Sequence, residues 1–405
     1  MSTFDGLWAE IAGVGRDPGS GGYRRPVWGA AERTLREWFL GCAAGRGMDT
    51  ETDRNGNLWA WWLPPGRTGD PSDALVTGSH LDSVPDGGAF DGPLGVVSAF
   101  AAVDALRAEG HVPRRPIGIV AFADEEGARF GVACAGSQLS TGALAPERAL
   151  GLRDAEGHSL AEVLTAAGRD PSAVGRDPRL TERVGLFVEL HVEQGRALDR
   201  LGEPVAVASS IWPHGRWRLD FTGEANHAGA TLLADRHDPM LPYAATVVAA
   251  RERAGQHGGV ATFGKLGVTP NGANAIASAI SAVLDARAPS TEVLEAMTAE
   301  VFADAARHAA TEGTTVAVRT ESVSPVVTFP DGPRDRIRRV LGAVPVLPTA
   351  AGHDAGVLSA VLPTAMLFVR NPTGVSHSPA EWAEHDDCLA GVAALTAVLR
   401  DGTSA

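Results

Sequence analysis

The stretch Ser79–Gly92, SHLDSVPDGGAFDG, places an imidazole at His80 and a carboxylate at Asp91 on either side of a Gly/Pro-rich turn. That pair proves little alone, but Glu125-Glu126, His191 and His377 offer the same kinds of side chain further along the chain. Imidazole mixed with carboxylate suits zinc, whereas calcium or magnesium would call for oxygen ligands throughout. Such a set exceeds the needs of one tetrahedral ion. It suits two ions that share a bridging carboxylate and leave a position for water, and the chemistry of such a site is hydrolysis. The doublet Glu125-Glu126 adds a proton acceptor, because one carboxylate can bind metal while its neighbour acts as base. Adjacent acids are often plain solvated charge, but this pair follows an unbroken apolar run. Asp82, just after His80, is placed to accept the ring N–H of that imidazole and fix its tautomer.

Each of these residues needs a strand to carry it. Ala74–Thr77 reads as a short buried strand ahead of His80, and Leu94–Leu106 has the apolar spacing of a helix after Asp91. Ile117–Ala123 and Val184–Leu190 lack polar alternation, which implies strands buried on both faces. They end in Asp124-Glu125-Glu126 and in His191, and an Ala365–Val369 strand precedes the loop that carries His377. Strands separated by helices predict an α/β fold, a mainly parallel sheet covered by helices, with ligands at the carboxyl ends of the strands. Upstream, Trp28–Arg46 is helical and an Asn-Gly-Asn turn leads into an aromatic strand, Leu58–Trp62, whose tryptophans belong to core or sheet surface. Leu139–Ala149 and Leu160–Ala167 read as helices.

After about Ala208 the pattern changes to βαββαβ, with strands at Arg216–Thr222, Val260–Val268, Ala275–Ala286 and Thr315–Glu321, the order of a split-βαβ or ferredoxin-like domain. The α/β rhythm resumes from Asp335. Residues 1–208 and 326–405 are thus expected to form a catalytic domain interrupted by an α+β domain at 209–325.

Composition narrows the function classes. The chain has 405 residues, 44% hydrophobic and 21% charged, as in a globular protein of two or three domains. A net charge of -14 opposes binding to nucleic acid or an anionic membrane surface. The N-terminus lacks a basic segment followed by an apolar core, and no long uncharged apolar run occurs, so a cytoplasmic protein is expected. Cys42, Cys134 and Cys388 are scattered without metal-finger spacing and are expected to be reduced and structural.

In this order, SHLDSVPDGGAFDGPLG, FADEEGARFG, ELHVEQG, FTGEANHAGAT, NGANAI, AGHDAG and GVSHSPAEW resemble the aminoacylase-like family of dinuclear metallopeptidases and amidohydrolases. More narrowly, they resemble its N-carbamoyl-L-amino acid hydrolase, β-ureidopropionase and allantoate amidohydrolase branch, over almost the whole chain. The resemblance implies an α/β catalytic domain, a smaller lid domain that also forms a homodimer, and two zinc or manganese ions. It makes Asp91 the bridging ligand, His80 and His191 ligands of one metal, and Glu126 and His377 ligands of the other. Glu125 becomes the general base and acid, and a cis peptide is implied between Asp91 and Gly92. His227 corresponds to the lid histidine that stabilises the oxyanion, in its own site or in the other subunit's.

Arg287 ends an apolar strand, where an arginine either caps the sheet in solvent or grips an anion bidentately. The resemblance assigns it to the substrate carboxylate with Asn274, while Gln194 and Gly352 line the pocket and His353 lies nearby. His214, His237 and His385 have no matched role and are expected at the surface. The implied reaction is hydrolysis of a small ureido or related amide that carries a carboxylate, with release of ammonia.

Two stretches depart from the family pattern: Trp212-Pro213-His214, where a flexible glycine-containing segment is usual, and Arg370-Asn371 ahead of His377. Extra cations near the pocket would favour a substrate with a second acid, including allantoate and N-formyl or N-formimino acidic amino acids. Alternatively Arg370 pairs with an acid on the rim. A dizinc aminoacylase or exopeptidase would share all five ligands, and a non-catalytic metal-binding protein is the remaining class; the intact Glu125 and the histidine at position 191 weigh against them.

Overall fold

The computed structural model describes residues 2–404. The chain divides into two units, one running to Ser209 and resuming at Phe329, the other spanning Ser210–Thr328. In the first, β1 (Asp49–Thr52) and β2 (Leu58–Trp62) form an antiparallel hairpin around the Asn-Gly-Asn turn. There follow β3 (Ala74–His80), β4 (Ile117–Phe122), β5 (Val184–Val192) and β6 (Val205–Ile211). Every residue of β3 and β4 is buried, which is what their unbroken apolar runs require. The helices Pro93–Ala108 and His385–Ser404 pack against each other and supply much of the core over this sheet, including Leu94, Val97, Phe100, Leu395 and Leu399. The helix expected over Leu139–Ala149 is two shorter ones, Ala135–Thr141 and Pro146–Leu150. Gly142, left-handed at φ 84°, ends the first, and Pro146 opens the second.

The Ser210–Thr328 unit contains β7 (His214–Thr222), β8 (Asn226–His227), β9 (Val260–Thr269), β10 (Ala275–Ile276), β11 (Ala279–Arg287) and β12 (Thr315–Ser324). Four of these make an antiparallel sheet in the order β12-β7-β11-β9, the arrangement of a split βαβ. One face buries Leu219, Phe221 and Leu284 against Leu294, Met297 and Val301 of the Thr291–Thr311 helix. The strand expected over Ala275–Ala286 is interrupted: Ala275–Ile276 leaves the sheet and pairs with Asn226–His227 as a separate two-stranded ribbon.

The Ser210–Thr328 span ends in β13 (Val327–Thr328), and the first unit then adds β14 (Val346–Thr349) and β15 (Thr364–Val369). The large sheet runs β1-β2-β4-β3-β5-β15-β6-β13, with β14 paired to β6. Its centre, β4-β3-β5-β15, is parallel, and β2 and β6 flank it antiparallel. The direction of winding reverses between β3 and β5, where open α/β sheets leave a crevice at the carboxyl ends of their strands.

Candidate metal centre

The four parallel strands deliver the candidate ligands at that edge. His80 is the last residue of β3, Glu125 and Glu126 follow β4, His191 is the next-to-last residue of β5, and His377 lies in the loop after β15. Asp91 returns to them from the loop after β3, and the backbone reverses at Gly92, with φ 85° and ψ -59°, to start the Pro93–Ala108 helix. A Cβ on Gly92 would stand 2.4 Å from the nearest atom of the His80 ring, so the position needs glycine on both counts. The expected cis peptide is not found: the cis bond among the described residues is Thr269–Pro270, and Asp91–Gly92 is trans. The positive φ of Gly92 makes the reversal instead.

Asp91 divides its two oxygens. Oδ1 is 3.4 Å from His80 Nε2 and 3.1 Å from His191 Nε2. Oδ2 is 3.4 Å from His377 Nε2, which in turn lies 3.3 Å from Glu126 Oε2. His80, Asp91 and His191 are buried, whereas His377 is half exposed, so the cluster opens on its side. The Nε2 atoms of His80 and His191 are buried without a hydrogen-bond partner, which calls for an explanation. Ligands about 2.0–2.1 Å from a tetrahedral ion stand about 3.4 Å from one another, close to the separations seen here. The residues present therefore fit divalent metal.

The electrostatics point the same way. Burial would raise the Asp91 carboxyl, but His191, His377 and His80 pull it well below the usual range. Burial would lower the imidazoles of His80 and His191, yet Glu125 and Asp82 around the first and Asp91 beside the second raise both. His377, hydrogen-bonded to Asp91, is raised to about 9. Glu125 is pushed well above its ordinary value by burial, an effect only partly offset by His80, and burial with the Asp91 charge lifts Glu126 to about 7. This is a carboxylate-rich pocket that attracts positive charge, as protons or as metal.

Around the cluster, Asp82 has a different task from the one expected. His80 Nδ1 is 3.2 Å from the Asp82 backbone carbonyl and 3.6 Å from its carboxylate. The carboxylate instead accepts the amides of Glu125 and Glu126, at 3.2 and 3.1 Å. Asp124, left-handed at φ 56°, makes the turn that presents those amides. Glu125 Oε2 is 3.7 Å from His80 Nε2, and its Oε1 accepts the Cys134 thiol at 3.2 Å. Cys134 is free and buried, as expected of a structural cysteine, but its contact with Glu125 had no sequence signal. Glu189, two residues before His191, accepts the Ser79 hydroxyl at 2.8 Å and the Ala355 amide at 2.9 Å, tying β5 to β3 and to the Asp354–Leu358 helix.

Of the expected pocket residues, Gln194 donates to Asp91 Oδ2 at 2.7 Å and buries an unpaired Oε1. His353 is buried, its ring 4.5 Å from that of His191 and its Nε2 without a partner; burial and His191 hold its pKa well below normal. Gly352 just before it is exposed. Arg370 is held by Asp387 through two bonds, Nε to Oδ2 at 2.7 Å and Nη2 to Oδ1 at 2.9 Å, so its charge is matched within the protein.

His227, Asn274 and Arg287 belong to the other unit. His227 is exposed, and its Nδ1 accepts the amides of Gly229 and Ala230, both at 3.0 Å, so the neutral ring carries its proton on Nε2. The Asn274 carbonyl accepts the Ala228 amide at 3.0 Å, which fixes it beside His227. Arg287 is the last residue of β11, half-buried, with Nε 2.9 Å from Asp285 Oδ1. Its cross-strand neighbour is His214, which is half-buried with an unpartnered Nδ1 and is not the surface residue expected. His237 and His385 are exposed.

Residues 76–401 match peptidase family M20/M25/M40. The chain is 38% identical over 403 residues to the N-carbamoyl-L-amino acid amidohydrolase of Geobacillus stearothermophilus, covering 98% of this chain and 97% of that one. It is 30% identical over 406 residues to the allantoate amidohydrolase of Escherichia coli K12, covering 96% and 95%. The crystal structure of a hydantoinase/carbamoylase-family amidase from Burkholderia multivorans superposes with a TM-score of 0.87 at 28% identity, over 99% of this chain and 98% of that one. With its ligand types at the ends of the four parallel strands and these relatives along its whole length, the chain belongs to peptidase family M20/M25/M40.

Proposed function

We propose that the protein is a metal-dependent amidohydrolase that cleaves the C–N bond of linear N-carbamoyl amino acids or allantoate and releases ammonia. The observation that carries this is Asp91, whose two oxygens face two separate ligand groups, while Glu125 stands beside the first, 3.7 Å from His80. We assign His80 and His191 to one ion, Glu126 and His377 to the other, and Asp91 to both, with zinc or manganese as the metal. Two such ions supply Lewis acidity and bring the pKa of a water toward neutrality. Glu125, raised by burial, takes the proton of the attacking water and returns it to the leaving nitrogen as the carbonyl carbon–nitrogen bond breaks. For a carbamoyl substrate the products are the amino acid, ammonia and carbon dioxide. The Nε2–H of His227 donates to the developing oxyanion. Arg287 and Asn274 bind the carboxylate, while Gln194, His353 and Gly352 line the site.

Arg287 and the His227–Asn274 pair stand at opposite ends of the lid sheet. β11 separates them by most of its length, on the order of 25 Å at the usual rise per residue. A small substrate does not span that distance. The arrangement supports a homodimer in which one lid gives Arg287 to one site and His227 to the other. Leu232 and Leu233, 72% and 83% exposed just after His227, are apolar surface suited to a subunit contact.

A metal-reconstituted assay of N-carbamoyl amino acids and allantoate should release ammonia. Amino acids freed from dipeptides without ammonia from ureido substrates would instead make the protein an exopeptidase. Turnover of N-formyl or N-formimino acids alone would move it to the deformylase class.

A further inference from the structure

Four residues beyond His377 the chain buries a carboxylate that meets the metal cluster only through other groups. Glu381 is 3% exposed and comes from the segment that follows the last strand. Its Oε1 accepts the backbone amides of Phe90 and Asp91, at 2.8 and 3.0 Å. Its Oε2 accepts the Ser376 hydroxyl at 3.2 Å, and the same hydroxyl lies 3.1 Å from Asp91 Oδ2. Space is reserved for this carboxylate, since a Cβ on Gly88 would stand 2.2 Å from Glu381 Oε1. Among the described residues no arginine or lysine pairs with Glu381, so its role is not that of half an ion pair.

The geometry points to Glu381 as a positioning residue for the second ion: it fastens the Asp91 loop to the His377 loop and so sets the distance between Asp91 Oδ2 and His377. The inference rests on the two-ion reading above. His80 and His191, the partners of Asp91 Oδ1, are fixed by β3 and β5 and do not depend on Glu381. Asp91 Oδ2 and His377 come from two loops that Glu381 and Ser376 join directly. Loss of Glu381 should therefore weaken one ion much more than the other, whereas a merely structural residue would lower stability without distinguishing them.

The test is titration of metal-free protein with Mn²⁺, following binding by calorimetry and EPR, with His377→Ala identifying which ion belongs to the second position. Wild type is expected to take up two ions. Glu381→Ala should raise the Kd of the ion lost in His377→Ala by about 10- to 100-fold, the scale for removing an outer-shell partner of a ligand, and change its neighbour less than about 3-fold. Glu381→Gln keeps Oε1 for both amides and should restore both affinities to within about 3-fold of wild type. If Glu381→Ala does not fold, Ser376→Ala decides, with a smaller loss confined to the same ion. Unchanged affinity for that ion in a folded variant, or a loss no larger than that of its neighbour, overturns the role of Glu381. Wild type that takes up no second ion overturns the two-ion reading instead.

Discussion

On the first unit the candidate ligands descend from four neighbouring strands, and several are held by hydrogen-bonded partners: Asp91 by Gln194 and Ser376, Glu125 by Cys134, the Glu125-Glu126 turn by Asp82. On the second unit His227 and Asn274 sit on a short exposed ribbon, and Arg287 ends a strand at the far side of the sheet, bonded to Asp285 and opposite His214. The first set is built to be in place before anything binds, which is how a site with several like charges avoids reorganising at the moment of reaction. The chemistry proposed above thus falls on buried groups, and the recognition proposed falls on groups nearer the surface.

That contrast can be broken most directly at Glu125. Glu125→Gln should retain both metal ions by elemental analysis and lose about 10³-fold or more in kcat; near-normal turnover would remove Glu125 from the mechanism. His227→Ala should cost about 10²- to 10³-fold in kcat, the scale of one oxyanion donor. At substrate well below the KM of Arg287→Ala, where both single variants turn over slowly, mixing His227→Ala with Arg287→Ala chains and allowing subunits to exchange should restore roughly a quarter of wild-type activity, because half the dimers then carry one intact site. No recovery after demonstrated exchange would place both residues in one subunit's site. Arg287→Ala alone should raise KM by about 10- to 100-fold with little change in kcat, as expected for uniform binding of the carboxylate. Metal uptake sharpens the other side of the comparison. Ligation needs neutral imidazoles, and the metal-free pocket raises His80, His191 and His377, the last to about 9. Affinity should therefore fall as pH is lowered from about 9, and binding near neutrality should release protons, measurable as a buffer-dependent heat. The smallest effect is expected at Arg370, whose charge Asp387 already matches: Arg370→Ala should leave KM within about twofold and lower stability by about 1–3 kcal/mol through the buried acid left behind.

The strands were legible because burial on two faces leaves a plain mark, an apolar run without alternation, as at Ile117–Phe122 and Val184–Val192. As candidate ligands, His80, Glu125, Glu126 and His191 drew notice because they stand at or just past the ends of such runs, whereas Asp91 and His377 lie in loops farther on. The Leu139–Ala149 stretch was misread because its apolar spacing outweighed Gly142 and Pro146, two residues that decide the backbone on their own. Asp82 was given the wrong atom to hold, since sequence separation cannot tell a carboxylate from the carbonyl of the same residue. Glu381, Ser376 and Cys134 were missed as partners because their contacts cross long stretches of chain or depend on a left-handed turn. The GVSHSPAEW motif held two of them without marking which residue they serve. Arg370 was left open between the pocket and an acid on the rim, and only the fold reveals that the acid is Asp387.

The position of β15 between β5 and β6 has a consequence for how the protein is made. A ribosome that has reached residue 328 has produced both neighbours of that place but not the strand that fills it, so β5 and β6 wait with open edges while the intervening unit emerges. During that interval His80, Asp91 and His191 are already in the growing chain and His377 is not. On the two-ion reading proposed above, the nascent polypeptide would hold at most half a centre until the carboxyl-terminal segment arrives.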